Sequence, residues 1–239
     1  MPDKIIGIVA AMEQEAQAIC PVSEKSMLGK FELLSGILPD GNKFLCIISG
    51  IGTERAKQAA TLLADKKPSL ILSAGVSGGL ARGTAAGDLL AASTIHSELT
   101  DFEPWHESDQ DEELRNKLLP AYGRIPSGPM ITVSAPVLTT KDKNALHDTT
   151  GALAADMESI AVATAAATAG IPFACIRAIS DGADRAIPAE SLNGVTPDGK
   201  TQLMPILKAI FTHPTLIFEL IPMGMDYSKA LKSLGKIFI

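Results

Sequence analysis

Two short stretches, Asp156-Met157-Glu158 and Arg177-Ala178-Ile179-Ser180-Asp181, concentrate the side chains best suited to chemistry. An alanine-rich run, Ile160 to Ala169, predicts a helix over 157–169, and the apolar run from Pro172 to Ile179 predicts a buried strand. Glu158 then falls at the start of a helix and Asp181 just past the end of a strand. A helix packed back on its strand brings two such acids towards one pocket. Two carboxyl groups there suit a reaction that holds a diol with one and protonates a leaving group with the other. Each acid alone also has a plainer reading, Glu158 as a first-turn charge and Asp181 as a turn residue.

Two further features add to this pair. Gly75-Val76-Ser77-Gly78-Gly79 reads as a glycine-rich turn at a strand end, where bare backbone lies close to a ligand. It is also a formal G-x-S-x-G match, and Ser77, Asp181 and His213 stand in the chain order of an esterase triad. It is not G-x-G-x-x-G, so a dinucleotide site has little support. Glu13 and Glu15 open the first helix and point to different faces. One of them is placed to face the carboxyl end of the first strand, where open α/β sheets bind ligands. The alternative is that both are exposed first-turn acids. His96, His106, His147 and His213 are too scattered to suggest a metal site.

The elements that must position these residues alternate. Strands are expected over 5–10, 31–38, 43–49, 69–74, 88–95 and 129–133. Helices are expected from Met12 towards Cys20 and from Thr53, a good N-cap, to about Ala64. Residues 98–113 are acid-rich and read as a solvated loop, with Trp105 out of keeping. This order predicts an α/β fold with a largely parallel or mixed sheet. At 239 residues, 46% hydrophobic, the chain is long enough for one large core. A net charge of −6 argues against a nucleic-acid polymer as partner. The cysteines, Cys20, Cys46 and Cys175, form no ligand or disulfide pattern and fit a reducing cytoplasm. Met-Pro-Asp-Lys leads at once into a strand, so no secretory signal is expected. Residues 203–239 form an apolar and basic extension of the same domain. Leu203 to Met225 is strongly apolar but is punctuated by Pro205, Pro214 and Pro222, a poor fit to a spanning helix. Lys229, Lys232 and Lys236 follow and suit an anionic membrane surface.

Four blocks in order carry a resemblance: Ile6 to Glu15, Ser49-Gly50-Ile51-Gly52, the 75–80 stretch, and Asp156-Met157-Glu158 with Arg177 to Asp184. As a set they resemble the methylthioadenosine/adenosylhomocysteine nucleosidases of the nucleoside phosphorylase/nucleosidase superfamily. Residues 185–239 are similar to the hopanoid-associated phosphorylase-like branch, which is linked to removing adenine from adenosylhopane. The resemblance implies a single-domain, three-layer α/β fold around a mixed, twisted sheet, a homo-oligomer, and no cofactor or metal. It implies that Asp181 is the general acid that protonates the leaving adenine. Glu158 would accept hydrogen bonds from the ribose hydroxyls and Met157 would pack on the sugar. Glu15 would orient the attacking water. Gly75 and Ser77 to Gly79 would line the sugar and nucleophile pocket, and Ser180 would also bind the substrate.

Hydrolysis and phosphorolysis share this scaffold. Related phosphorylases carry an arginine where this chain has Ser73, and a hydroxyl where it has Val76. Those departures and Glu15 favour water as the nucleophile, with Arg55 and Arg82 left as candidate phosphate contacts. Val137-Leu138 departs from the thio-nucleoside enzymes in the segment that stacks on the base. A nucleoside-binding module without turnover is the competing reading, and three retained acids argue against it.

Overall fold

Apolar runs build the centre of the molecule. The computed structural model describes residues 4–20, 24–39, 41–118, 124–188, 198 and 217–238. Strands β1 (Ile5–Ala10), β4 (Lys43–Ile48), β5 (Leu70–Gly79) and β10 (Phe173–Asp181) carry near-continuous buried residues, as parallel strands covered on both faces must. β1 pairs in parallel with β4 and β5, and β5 in parallel with β10. β2 (Glu24–Leu28) and β3 (Phe31–Ile37) add an antiparallel hairpin at the β4 edge. β6 (Leu89–Ser97) runs antiparallel to β10 and parallel to β8 (Ser127–Thr132). β9 (Ala154–Asp156) links β8 back to β5, so the mixed sheet closes on itself around β5.

Helices cover both faces, giving the three layers expected. α1 (Glu13–Ile19) and α6 (Ile217–Leu234) lie on one face, where Ala16, Ile19, Ala230 and Leu234 join Ile6, Ile8, Leu72 and Ile176. α2 (Thr53–Ala64) and α5 (Ser159–Thr168) cover the other, with Ala56, Ala60, Ala161 and Ala165 beside Ile47, Ile71 and Cys175. Alanines let these two helices lie close to each other and to the sheet. α5 is apolar nearly all round, which suits a helix buried on most sides.

Three expectations are corrected. The glycine-rich stretch is not a turn: Gly75 to Gly79 continue β5, paired with β10 on one side and, at Gly78 and Gly79, with β9 on the other. Asp181 is the last residue of β10 rather than a residue beyond it. The segment 98–113 is not simply a loop. It holds β7 (Trp105–His106) and the start of α3 (Asp109–Leu118). Trp105 packs edge-on against Phe173 at 5.0 Å, and the Asp111 carboxylate accepts the Phe173 N–H at 2.9 Å. Those two contacts anchor the acidic segment to the start of β10. Much of the proposed extension, 203–216, lies outside the described residues, and so does His213. From Ile217 the chain is helical, and Ala230, Leu234 and Ile237 bury against the core. No helix among the described residues is long and apolar enough to cross a membrane.

Candidate active site

The acids meet where the carboxyl ends of β1 and β5 face the start of α5 and the end of β10. A cavity of about 250 Å³ there is lined by Met12, Glu15, Ser77, Glu158, Ser180 and Asp181, with Gly78, Met157 and Val137 also on its wall. Gly75 is set apart: it lines a second, smaller cavity beneath. Larger hollows elsewhere, such as one of about 480 Å³ beside Leu89, Leu90 and Lys236, gather no such set of convergent carboxyl groups.

Glu15 is the third residue of α1 and is almost wholly buried. Its Oε2 accepts the N–H groups of Ala11 and Met12 at 3.0 and 2.9 Å, which caps the helix start. Its Oε1 accepts the Val76 N–H at 2.8 Å. Burial raises its pKa, against the pull of these donors and of Arg177. A methyl group at Gly75 would stand 2.8 Å from Glu15 Oε1, so the glycine is there to let the carboxylate reach the strand. Glu13 points away, in an exposed ion pair with Lys25 at 3.1 Å.

Glu158 caps α5 from the end of the short turn after β9, and its Oε1 accepts the Gly52 N–H at 2.8 Å. Burial, reinforced by the neighbouring Asp156 carboxylate, pushes its carboxyl up to about 7. Beneath it Asp156 is tied into a buried network. Arg177 Nε donates to Asp156 Oδ2 at 2.8 Å, and its Nη2 donates to Ser73 Oγ at 2.9 Å and Ser159 Oγ at 2.7 Å. Thr132 Oγ1 donates to the other Asp156 oxygen at 2.8 Å. Between this network and the larger cavity lies a chamber of about 10 Å³, walled by Glu15, Ser49, Ser73, Gly75, Glu158 and Arg177. That is room for one water molecule.

Asp181 enters through an irregularity in β10. Ile179 is opposite Ser77 and Asp181 opposite Gly78, so Ser180 is an extra residue in the ladder. Such a bulge re-aims neighbouring side chains, here both Ser180 and Asp181, into the cavity. Ser180 Oγ lies 2.5 Å from Asp181 Oδ1 and 3.1 Å from the Ser77 carbonyl. One hydroxyl proton can serve either contact, so Ser180 suits both protonation states of the acid. Burial raises the Asp181 pKa, and Lys143 opposes the rise most strongly. Among the described residues the buried Ser77 Oγ has no hydrogen-bond partner, and no histidine lines the cavity. His147 instead bonds the Ala152 carbonyl at 2.8 Å. Nothing among the described residues activates Ser77 as a nucleophile.

Sequence reading missed three residues. Lys143, whose side chain is wholly buried, binds Asp181 Oδ2 at 2.5 Å. The signals for its helix, α4 (Thr140–Thr150), were present: Thr139 and Asp142 cap its start reciprocally and Gly151 ends it at φ 70°. Arg177 and Asp156 were noticed only as parts of the motif. Their pairing needs β9 and β10 brought to opposite sides of β5, which no local pattern reveals. Of the candidate phosphate contacts, Arg55 donates to the Ser49 carbonyl at 2.9 Å and Arg82 is exposed, and neither lines these two cavities.

Residues 5–211 match the phosphorylase superfamily, and the chain belongs to that family. It is 29% identical over 201 residues to a 5′-methylthioadenosine/S-adenosylhomocysteine nucleosidase of Listeria welshimeri, covering 74% of this chain and 85% of that protein. Its fold is similar to that of the 5′-methylthioadenosine/S-adenosylhomocysteine nucleosidase of Helicobacter pylori, with a TM-score of 0.69 at 20% identity over 100% of this chain and 95% of that one. A futalosine hydrolase mutant of the same organism gives 0.61 at 22% identity, over 74% and 89% of the two chains.

Proposed function

We infer that this member of the phosphorylase superfamily is a purine nucleosidase, hydrolysing the N-glycosidic bond of an adenine nucleoside. The observation that carries this reading is the water-sized chamber bounded by Glu15, Ser73 and Arg177. In the reaction the water oxygen bonds to C1′ as the C1′–N9 bond breaks, and the bonding electrons pass into the purine. Asp181 gives its proton to N7 and so relieves the charge developing on the leaving base. Glu15 takes the proton that the water loses. Glu158, with two acceptor oxygens, holds the ribose hydroxyls, and Met157 packs beside the sugar. A carboxyl whose pKa is raised by burial is suited to the acid's task, and three N–H donors keep Glu15 fixed for the base's.

The favoured substrate carries a bulky apolar 5′ group, with adenosylhopane cleaved to ribosylhopane. Two features support this. Met12, Ile51, Val76, Leu80, Val133 and Ile187 give the cavity a mostly apolar wall. α6 reaches the same wall, Tyr227 Oη lying 3.9 Å from Met12 Sδ, and turns Phe218, Ile221 and Met225 outward as one exposed apolar stripe. Lys229, Lys232 and Lys236, all exposed, add positive charge for an anionic membrane surface. Residues 203–239 then act as an extension of the catalytic domain that receives the lipid, in a protein that works as a homo-oligomer. The second reading is a small thio-nucleoside substrate, favoured by the activity named for the Listeria relative.

Adenine release should be measured from adenosine, methylthioadenosine and a lipid-linked adenosine, with and without phosphate. Full rates in phosphate-free buffer and free ribosyl products are expected. Strict phosphate dependence with a sugar 1-phosphate product overturns hydrolysis. Preference for methylthioadenosine over the lipid-linked nucleoside overturns the assignment of the 5′ group alone.

A further inference from the structure

Lys143 is the one buried lysine among the described residues, and the reaction as derived above does not call on it. Its ammonium has three acceptors for three protons: Asp181 Oδ2 at 2.5 Å and the carbonyls of Gly182 and Arg185 at 3.0 and 2.8 Å. It has no donor capacity left for a substrate atom. Folding a wholly buried cation against the catalytic carboxyl costs desolvation that an apolar side chain would avoid. A methionine could fill the same space. The charge therefore needs a reason.

We propose that Lys143 is a positioning residue that sets the strength of the Asp181 acid. The inference rests on the nucleosidase reading. A carboxyl buried without a cation holds its proton tightly and is a poor donor. When the Asp181 O–H bond breaks and the proton bonds to N7, negative charge appears on the carboxylate. The ammonium already in contact with Oδ2 stabilises that charge with no rearrangement. Oδ1 stays with Ser180, so the two oxygens are held by different partners and the carboxyl plane is fixed.

The other charges around the pair leave this role to Lys143. Arg185 follows β10 closely and adds some positive potential, but its guanidinium pairs with Asp226 of α6 at 2.8 Å. Lys229 on the same helix binds Asp226 as well. Asp184 is exposed. On α4 itself Asp142 is occupied in the helix cap with Thr139. Glu15 and Glu158 face Asp181 only across the cavity.

The test is the pH profile of kcat/KM for adenine release by the wild type, Lys143→Met, Lys143→Gln and Lys143→Arg, with Asp181→Asn in parallel. The basic limb reports the pKa of the acid that must be protonated. Removing an adjacent cation should move that limb to higher pH by about 1–3 units. The plateau should fall on the order of 10-fold, because a weaker acid transfers its proton less readily. Lys143→Arg should return the limb most of the way. Should the methionine variant not fold, the glutamine variant still offers a donor to the two carbonyls and asks the same question. A fallen plateau with an unmoved limb makes Lys143 merely structural and overturns the proposal. If Asp181→Asn keeps wild-type turnover, the acid assignment itself fails. If that variant is inactive and the Lys143 limb does not move, only the role of Lys143 is lost.

Discussion

On the proposed reading the cavity has a sugar end and a base end, and the two stabilise buried carboxyl groups by different means. At the sugar end, Glu15 and Glu158 lean on main-chain N–H groups from Ala11, Met12, Val76 and Gly52. At the base end, Asp181 leans on the side chains of Lys143 and Ser180. Main-chain donors do not titrate and survive any substitution that keeps the backbone in place. Side-chain donors can be changed one at a time. The sugar end is therefore fixed by the fold itself, through β5 and the starts of α1 and α5. The base end is adjustable, which is where a scaffold used for several nucleoside substrates has most room to vary.

Substitutions sharpen that contrast. The largest effect is expected from Asp181→Asn, which keeps the shape and removes the transferable proton. General acid catalysis contributes ~10²–10⁴-fold, so kcat on an adenine nucleoside should fall in that range while nucleoside binding weakens far less. Near wild-type turnover would show that the base end does no acid chemistry. Glu158→Gln comes next. Loss of a charge-assisted hydrogen bond costs on the order of 1.5–3 kcal/mol, and ribosides should suffer more than 2′-deoxyribosides, which already lack one contact. An equal loss on both substrates means that the sugar end does not read the diol.

A smaller effect should follow pH. Glu158 must be ionised to accept from both hydroxyls, and its carboxyl lies at about 7. The direction follows from the raised value: the proton returns as pH falls through 7, so riboside KM should rise. Between pH 8 and pH 6 the rise should be on the order of 10-fold for a single titration at that value. The 2′-deoxyriboside, measured alongside, should change less; parallel curves would trace the effect to another group. The smallest effect is assigned to Ser77→Ala. The Ser77 hydroxyl is buried without a partner, so its removal should leave the melting temperature unchanged or slightly higher. Nucleoside KM should rise by a few-fold if substrate is the missing partner, on the order of 1 kcal/mol. A clear loss of thermal stability with KM unaltered would make Ser77 a structural residue.

The sugar end was also the more legible in sequence, for the same physical reason. Its residues sit near element boundaries that local patterns mark to within a residue or two: Glu15 just inside α1, Glu158 at the cap of α5 where the sequence puts it inside the helix, and Gly52 at the cap of α2 where the sequence favours Thr53. The alternation of strands and helices was readable because β1, β4, β5 and β10 are mostly apolar, with only Ser73, Ser77, Arg177 and a few end residues breaking the runs. The nature of Gly75 to Gly79 was not. Glycines normally mark turns, and here they answer a tertiary demand, the approach of Glu15 to Gly75 and of Asp181, whose Oδ2 would lie 3.3 Å from a methyl group at Gly78. Lys143 was hidden more deeply. A lysine in the polar sequence of α4 reads as solvated, and only its contacts with Asp181 and the carbonyls just beyond β10 show it inside. Trp105 was seen as out of place, but the partner that explains it, Phe173, is far along the chain.

The small chamber under the sugar has a consequence for energy flow. An enzyme that admits phosphate hands the glycosidic bond on as an activated sugar ester, and its reaction can run backwards when products accumulate. The chamber, of about 10 Å³, has room for one water. If water is the nucleophile seated there, sugar transfer to methanol or glycerol should be slow beside hydrolysis. On the proposed hydrolytic reading the step works as a valve: the base leaves, water takes its place, and no activated sugar is kept for salvage.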